Sequence, residues 1–221
     1  LTKISARLIA VTQPTIEIPM ATPEGVVAYC GRVSNKPNQE NPEFSRLFKT
    51  CYDNGHWSFF EMANAIVEVE APRDITRQLL RHRSFSFQEF SQRYSDEIEF
   101  TEREFRRQDT KNRQNSIDDL DNQLKDYAAL VVKDSIWRAK SLYQDLRSDD
   151  VAKECARVIL PEGLTMSRLY MNGTLRSWIT YLEARDGNGT QWEHILLARE
   201  IRKAIAPAFP EIFSMIGDSS E

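Results

Sequence analysis

The run from Ala63 to Ala71 constrains this chain most. Ala63, Ala65, Val67, Val69 and Ala71 fall on one side of an extended chain, and Asn64, Ile66, Glu68 and Glu70 on the other. A period of two over nine residues predicts a strand with one buried face. Pro72 follows at once and suits the first helical position, where its missing N–H costs nothing. Ile75 and Leu79 then give an apolar face at helical spacing up to Leu80. A strand feeding directly into a helix places Arg81-His82-Arg83 at the helix C-terminus, where the helix dipole favours positive charge. Ser84 to Tyr94 then reads as a loop rich in hydroxyls and aromatic rings, with Arg93 near its end. Hydroxyls, backbone N–H groups and arginines together are the chemistry that holds a phosphate.

The remaining elements have weaker signals. Lys3 to Thr12 predicts a strand with Ile4, Ala6, Leu8 and Ala10 on one face. Thr22-Pro23 opens a short helix that Gly31 can close. Asn41-Pro42 opens another, with Phe44, Leu47, Phe48, Cys51 and Tyr52 on its buried side and Asn54-Gly55 at its end. Glu102 to Arg113 is polar and aperiodic, which predicts a mobile loop. Ser116 begins a long helix with Asp119 as its capping acid. Ile117, Leu120, Leu124, Tyr127, Val131 and Leu142 are its apolar stripe. A helix from Asp150 to Pro161, a strand from Thr165 to Met171 and helices over Thr174 to Arg185 and Thr190 to Ala206 follow. The expected class is α+β: a small central, largely antiparallel sheet packed with several helices, one of them long. No linker or repeat divides residues 1–221, so one domain is expected.

Net charge is −4, which speaks against a protein that coats nucleic acid. Positive charge is local instead. Arg73, Arg77, Arg81, Arg83 and Arg93 lie within 21 residues, opposed only by Asp74 and Glu89. That pattern suits a small anion better than a polymer. No apolar run approaches a membrane span, and Leu1 to Thr12 lacks the apolar core of a signal peptide. The cysteines are Cys30, Cys51 and Cys155, an odd number with no metal or redox spacing. Cys51 and Cys155 read as buried free thiols, which implies a reducing compartment and points to the cytoplasm. His56, His82 and His194 are far apart, so a metal site has no support. There is no Gly-x-Gly-x-x-Gly after a strand and no Gly-Lys-Ser/Thr phosphate loop, which disfavours a Rossmann domain or a nucleoside-triphosphatase.

Arg81-His82-Arg83, seven residues, then Ser91, with Arg93 and Tyr94 behind, resembles the signature of the flavin-dependent thymidylate synthases, the thymidylate synthase complementing protein family. Three further stretches carry the resemblance: Gly55 to Glu61, Ala156-Arg157-Val158-Ile159-Leu160-Pro161, and Asn172 to Glu193. The likeness spans His56 to Tyr94 and Val151 to Glu193. Gln88 and Gln92 stand where many members carry Asn and Gly, and Thr180 where members often carry Asn or His. Asn188-Gly189-Thr190 stands where some members have a flavin-contacting His.

The resemblance implies a methyltransferase that makes dTMP from dUMP. Methylenetetrahydrofolate would supply the carbon, and NADPH-reduced FAD the electrons, with no cysteine nucleophile. It implies nucleotide contacts by Gln78, Arg81, Glu89, Ser91, Arg93, Arg157 and Arg185, with Arg185 polarising the uracil ring. It implies flavin contacts by His56, Ser58, Glu61, Arg81, His82, Arg83, Asn172 and Arg176. It also implies a homotetramer with sites shared between subunits. Gln78 lies three residues before Arg81, a spacing that puts both on one helical face. For Arg157, a salt bridge to Glu154 or a surface position is the alternative. Two other readings compete for the whole chain. One is a nucleic-acid module with Phe and Tyr stacking on bases. The other is a helical protein whose arginines dock an acidic partner. Only the first reading predicts a yellow preparation, and only the second predicts steep loss of binding with salt.

Overall fold

A computed structural model describes residues 2–187 and 189–217. In chain order the elements are β1 (Ser5–Val11), α1 (Pro23–Gly31), α2 (Lys36–Gln39), α3 (Ser45–Asp53), a 3-10 turn (Trp57–Met62), β2 (Asn64–Pro72), α4 (Arg73–Leu79) and β3 (Ser86–Glu89). There follow β4 (Arg107–Gln108), β5 (Ser116–Ile117), α5 (Asn122–Ser148), α6 (Lys153–Ala156), a second 3-10 turn (Arg157–Ile159), β6 (Met166–Thr174), α7 (Leu175–Arg185), α8 (Trp192–Ile205) and α9 (Pro210–Met215). The main sheet has the order β1-β2-β6-β3, all antiparallel, and β4 pairs with β5 as a small hairpin. The α+β expectation therefore holds.

β2 is the centre of the fold. Ala65, Val67, Val69 and Ala71 are buried, as the alternation predicts. They meet Leu169 and Met171 of β6 and the inner faces of α7 and α8, which carry Trp178, Ile179, Leu182, Leu197 and Ile201. The other face of the sheet stays open, with Arg168, Tyr170 and Asn172 exposed on β6. In β1 the register shifts between Leu8 and Ala10, so Val11 takes the inward place that simple alternation gives to Ala10.

Other boundaries move for identifiable reasons. Pro72 ends β2 and caps α4 from outside instead of occupying its first turn. Asn41-Pro42 precedes α3 without opening it, and the helix starts at Ser45. The loop after α4 contains β3, a strand created by its pairing with β6. Asp150 to Pro161 breaks into a four-residue helix and a 3-10 turn, which leaves Cys155 exposed while Cys51 is buried. The 102–113 segment is not wholly irregular, since Arg107 and Gln108 pair in β4.

The long helix differs most from expectation. It starts at Asn122, and Asp121 is the cap, accepting from the Gln123 N–H at 2.9 Å. Asp119 is instead engaged by Arg107 at 2.6 Å. Ala139 and Tyr143 are buried and Val132 and Ile136 half-buried, a stripe at spacings of four, three and four that faces the chain. The stripe of Leu124, Tyr127, Val131 and Leu142 points out, with exposures of 54%, 66%, 49% and 54%. Periodicity alone does not say which of two apolar arcs a helix turns towards its own chain.

Candidate active site

The Arg81-His82-Arg83 segment is held by its neighbours on both sides. α4 closes with the His82 N–H donating to the Leu79 carbonyl at 2.9 Å. Phe85 is buried against Trp178, with ring centroids 4.7 Å apart at 70°. It lies so close to Gly173 that a Cβ there would sit 2.4 Å from the Phe85 ring. Burying a Phe contributes about 1.5–3 kcal/mol, enough to pin the turn. α4 ends at Leu79, and an αR Leu80 carries the chain one step further, with the Arg81 N–H donating to the Gln78 carbonyl at 3.4 Å. Arg81 is exposed, whereas Gln78 is half-buried and hydrogen-bonded elsewhere.

At the centre, the Arg185 Nε–H donates to His82 Nε2 at 3.0 Å. That nitrogen must therefore be unprotonated, so a neutral His82 carries its proton on Nδ1. Burial lowers the His82 pKa, and the Arg185 and Arg81 charges lower it further. Tyr181, one turn before Arg185 on α7, packs edge-on against the His82 ring at 5.0 Å. Its hydroxyl meets His194 Nε2 at 3.2 Å. His194 Nδ1 meets Gln78 Oε1 at 3.0 Å, and Gln78 Nε2 donates to Gln191 Oε1 at 2.8 Å. His194 is fully buried, and burial, with Arg185 and His82 nearby, pushes its pKa down to about 3. The sequence reading left His194, Tyr181 and Gln191 out of the site. The available signal was Tyr181 and Arg185 four apart on one helix, and His194 three residues beyond Gln191.

A second group lies around α6. Arg93 pairs with Glu154 at 3.3 Å, and both are more than half exposed. The Arg93 N–H donates to Ser91 Oγ at 3.3 Å. Glu154 thus serves Arg93, and among the described residues no carboxylate lies within ion-pair distance of Arg157. Arg157 lines a cavity of about 320 Å³ with Arg73, Arg77 and the buried Gln92. Arg73 was not among the expected residues. Its Nη1 is buried without a hydrogen-bond partner, and its Nη2 is 3.9 Å from Glu89. Glu89 itself accepts from Ser167 Oγ at 2.8 Å. Among the described residues no hydrogen bond or ion pair joins this group to the His82–Arg185 group.

Of the expected flavin residues, Glu61 and Arg176 form an ion pair. His56 and Ser58 are exposed beside them, at the start of the 3-10 turn. Asn172 is exposed on β6, opposite Ser86 of β3. Arg81 and Arg83 are exposed, and among the described residues neither has a carboxylate within ion-pair distance. Asn188, in the segment that departs from the family pattern, lies outside the described residues.

Comparisons with known proteins show the family and the fold. The family described as thymidylate synthase complementing protein matches residues 17–211. A flavin-dependent thymidylate synthase from Synechocystis sp. is 46% identical over 213 residues, covering 95% of this chain and 97% of the relative. A probable flavin-dependent thymidylate synthase from Paramecium bursaria Chlorella virus 1 is 44% identical over 211 residues, with the same coverage of both chains. The fold is also that of a UMP/dUMP methylase, PolB from Streptomyces cacaoi, solved with 5-Br dUMP. That match has a TM-score of 0.78 at 24% identity and covers 98% of this chain and 95% of the other. On the family match and the two relatives, this chain belongs to the thymidylate synthase complementing protein family.

Proposed function

We propose that the chain is a flavin-dependent thymidylate synthase, a methyltransferase that converts dUMP to dTMP. Methylenetetrahydrofolate is the carbon donor and NADPH-reduced FAD the reductant. The observation that carries this reading is the Arg185 guanidinium held against a neutral His82, in a half-buried setting, beside arginines without carboxylate partners. Two relatives of this name match almost the whole chain.

The residues present fit a flavin dinucleotide. Its pyrophosphate is anionic, and Arg81 and Arg83 are cations that no carboxylate among the described residues neutralises. The Nδ1–H of His82 is a further donor. His56, Ser58, Glu61, Arg81, His82, Arg83, Asn172 and Arg176 would hold the cofactor, which supplies reducing electrons when bound. Among the described residues there is no glycine-rich turn between a strand and a helix, so arginines and loop amides take that part.

For the nucleotide, Arg81, Ser91, Arg93 and Arg157 bind the phosphate, and Gln78 and Glu89 position the rest. Arg185 is the catalytic residue. Its charge, fixed in place before the reaction, would stabilise negative charge on the uracil ring in the enolate form from which C5 attacks the one-carbon unit. Burial raises the Cys51 thiol pKa and disfavours its thiolate as a nucleophile.

That no hydrogen bond or ion pair among the described residues joins the His82–Arg185 group to the Arg93–Arg157 group supports a site completed between copies. So does the exposed stripe on α5, where Leu124, Tyr127, Val131 and Leu142 are each about half or more exposed and a second copy would cover them. We therefore read the chain as one domain that assembles as a homotetramer in the cytoplasm, acting on small molecules and not on nucleic acid. No helix among the described residues is long and apolar enough to cross a membrane. Purified protein should be yellow, release FAD on denaturation, and form dTMP from dUMP only when methylenetetrahydrofolate and NADPH are both present. A colourless protein that neither takes up FAD nor forms dTMP would overturn the reading.

A further inference from the structure

Glu193 lies at the start of α8 and is 5% exposed. Arg103 and Arg106 approach its carboxylate at 3.6 and 3.8 Å. The Arg106 guanidinium is itself seated over the Trp192 ring, 5.0 Å from its centre. Gln191 Nε2 lies 3.0 Å from Glu193 Oε2. A carboxylate can only accept, so the Gln191 amide must turn its NH₂ towards Glu193. Its carbonyl then faces Gln78 at 2.8 Å, and only the NH₂ of Gln78 can answer it. The Gln78 carbonyl is left facing His194 Nδ1 at 3.0 Å, which must carry the imidazole proton. His194 Nε2 is therefore bare and accepts from the Tyr181 hydroxyl at 3.2 Å. One buried negative charge thus sets the direction of four successive hydrogen bonds, from Tyr181 to Glu193.

We propose that Glu193 is a positioning residue for the nucleotide site, fixing the His194 tautomer and the orientation of the Gln78 amide through this one-way chain. The proposal rests on the reading of Gln78 as a nucleotide contact. With one N–H and one carbonyl lone pair already committed, Gln78 keeps one donor and one acceptor for a ligand, in fixed places. A uracil edge offers both a donor and acceptors, so a turned amide would meet like with like. The far end of the chain is Tyr181, which packs on His82 and so adjoins the imidazole that holds Arg185.

The test reads the His194 tautomer directly. The chain has 3 histidines, so long-range ¹⁵N imidazole spectra of the FAD-loaded protein resolve each ring. The wild type is expected to show His194 as Nδ1–H with a bare Nε2. Glu193→Gln gives the end of the chain a donor and removes the direction. His194 should then shift towards Nε2–H, and dUMP should bind about tenfold more weakly with FAD binding unchanged. Gln191→Met breaks the same chain while leaving the Glu193 ion pairs in place, and should shift the tautomer likewise if Glu193→Gln does not fold. A wild-type Nε2–H tautomer would overturn the proposal. So would an unchanged tautomer in a folded variant, even with weakened dUMP binding, because Glu193 would then act by another route. Failure to bind dUMP at all would refute the functional reading and leave the tautomer result standing, so the two failures are distinguishable.

Discussion

Replacing Arg185 by Gln removes one charge and keeps an amide nitrogen at about the place of Nε, without the two outer nitrogens of the guanidinium. Arg185 is half-buried, and among the described residues its side chain donates to the neutral His82. The rest of the guanidinium is therefore available to the uracil ring. A hydrogen bond from a charged donor contributes about 1.5–3 kcal/mol and a neutral one about 0.5–1.5. The difference is roughly 1–1.5 kcal/mol, or five- to tenfold in dUMP affinity. Turnover should suffer more, because negative charge grows on the ring only during reaction. Loss of a donor of that kind lowers kcat by roughly 10²–10³-fold. Arg185 is also the second cause, after burial, of the lowered His82 pKa. The variant's His82 should titrate higher, towards the ordinary 6.5. Calorimetry for dUMP, single-turnover dTMP formation and an NMR titration of His82 check the three effects. A variant that keeps kcat within tenfold while losing only affinity would refute Arg185 as the polarising charge. An unmoved His82 would show that the pair does not form in solution.

Arg81→Ala and Arg93→Ala should each cost dUMP binding about 1.5–3 kcal/mol, against at most about 1 for an exposed ion pair such as Arg93–Glu154. Calorimetric losses below about 0.5 kcal/mol for both would remove them from the phosphate site. Ser91→Ala should keep measurable dTMP formation and lose mainly affinity, since Ser91 Oγ is bonded to the Arg93 N–H and no base is placed to activate it. A trapped dUMP adduct on Ser91 would defeat that view. Tyr127→Glu with Val131→Glu, on the exposed arc of α5, should lower the sedimentation coefficient and the activity together, whereas an unchanged assembly would exclude that arc as an interface. Buried Glu24 accepts from the N–H groups of Glu211 and Ile212, and burial raises its pKa to about 7 from 4.5. The folded chain then holds the extra proton, so this contribution to stability is full below pH 4.5 and is lost as pH rises through 7, by roughly 3 kcal/mol in all. Urea titrations across that window should show a flatter profile for Glu24→Gln, and parallel profiles would contradict the shift.

The parts of this fold that were legible beforehand are those whose cause is local. β2 shows its buried face in its own alternation, and α7 shows its start in Thr174, whose side chain accepts from the Ser177 N–H at 3.2 Å. What was not legible depends on a distant partner. Ser86–Glu89 has nothing in its own four residues to distinguish it from a loop, and it becomes a strand because β6 offers it an edge. Asp119 and Asp121 are both reasonable caps for α5. The choice is made by Arg107, which occupies Asp119 from another part of the chain.

The site divides in the same way. A long motif singles out Arg81, His82, Ser91 and Arg93 by residue type and spacing, yet His82 is bonded to Arg185 while Arg93 is engaged by Glu154 and Ser91. Spacing does not say which hydrogen bonds each side chain will already hold. Gln78 and Arg81 look like partners on a helix wheel, yet one is half-buried and the other exposed. Gln78 turns inward to His194, 116 positions away, while Arg81 stays in water. An amide and a guanidinium separate in this way because the amide can be satisfied by neutral buried groups, whereas burying an unpaired charge costs several kcal/mol or more. An arginine with neither a carboxylate nor buried carbonyl acceptors, such as those of Asn41 and Glu43 that hold Arg32, is therefore kept at the surface unless a bound anion draws it in. That is why Arg81 and Arg83, both exposed, are the cations whose environment should change most if nucleotide and cofactor bind as proposed.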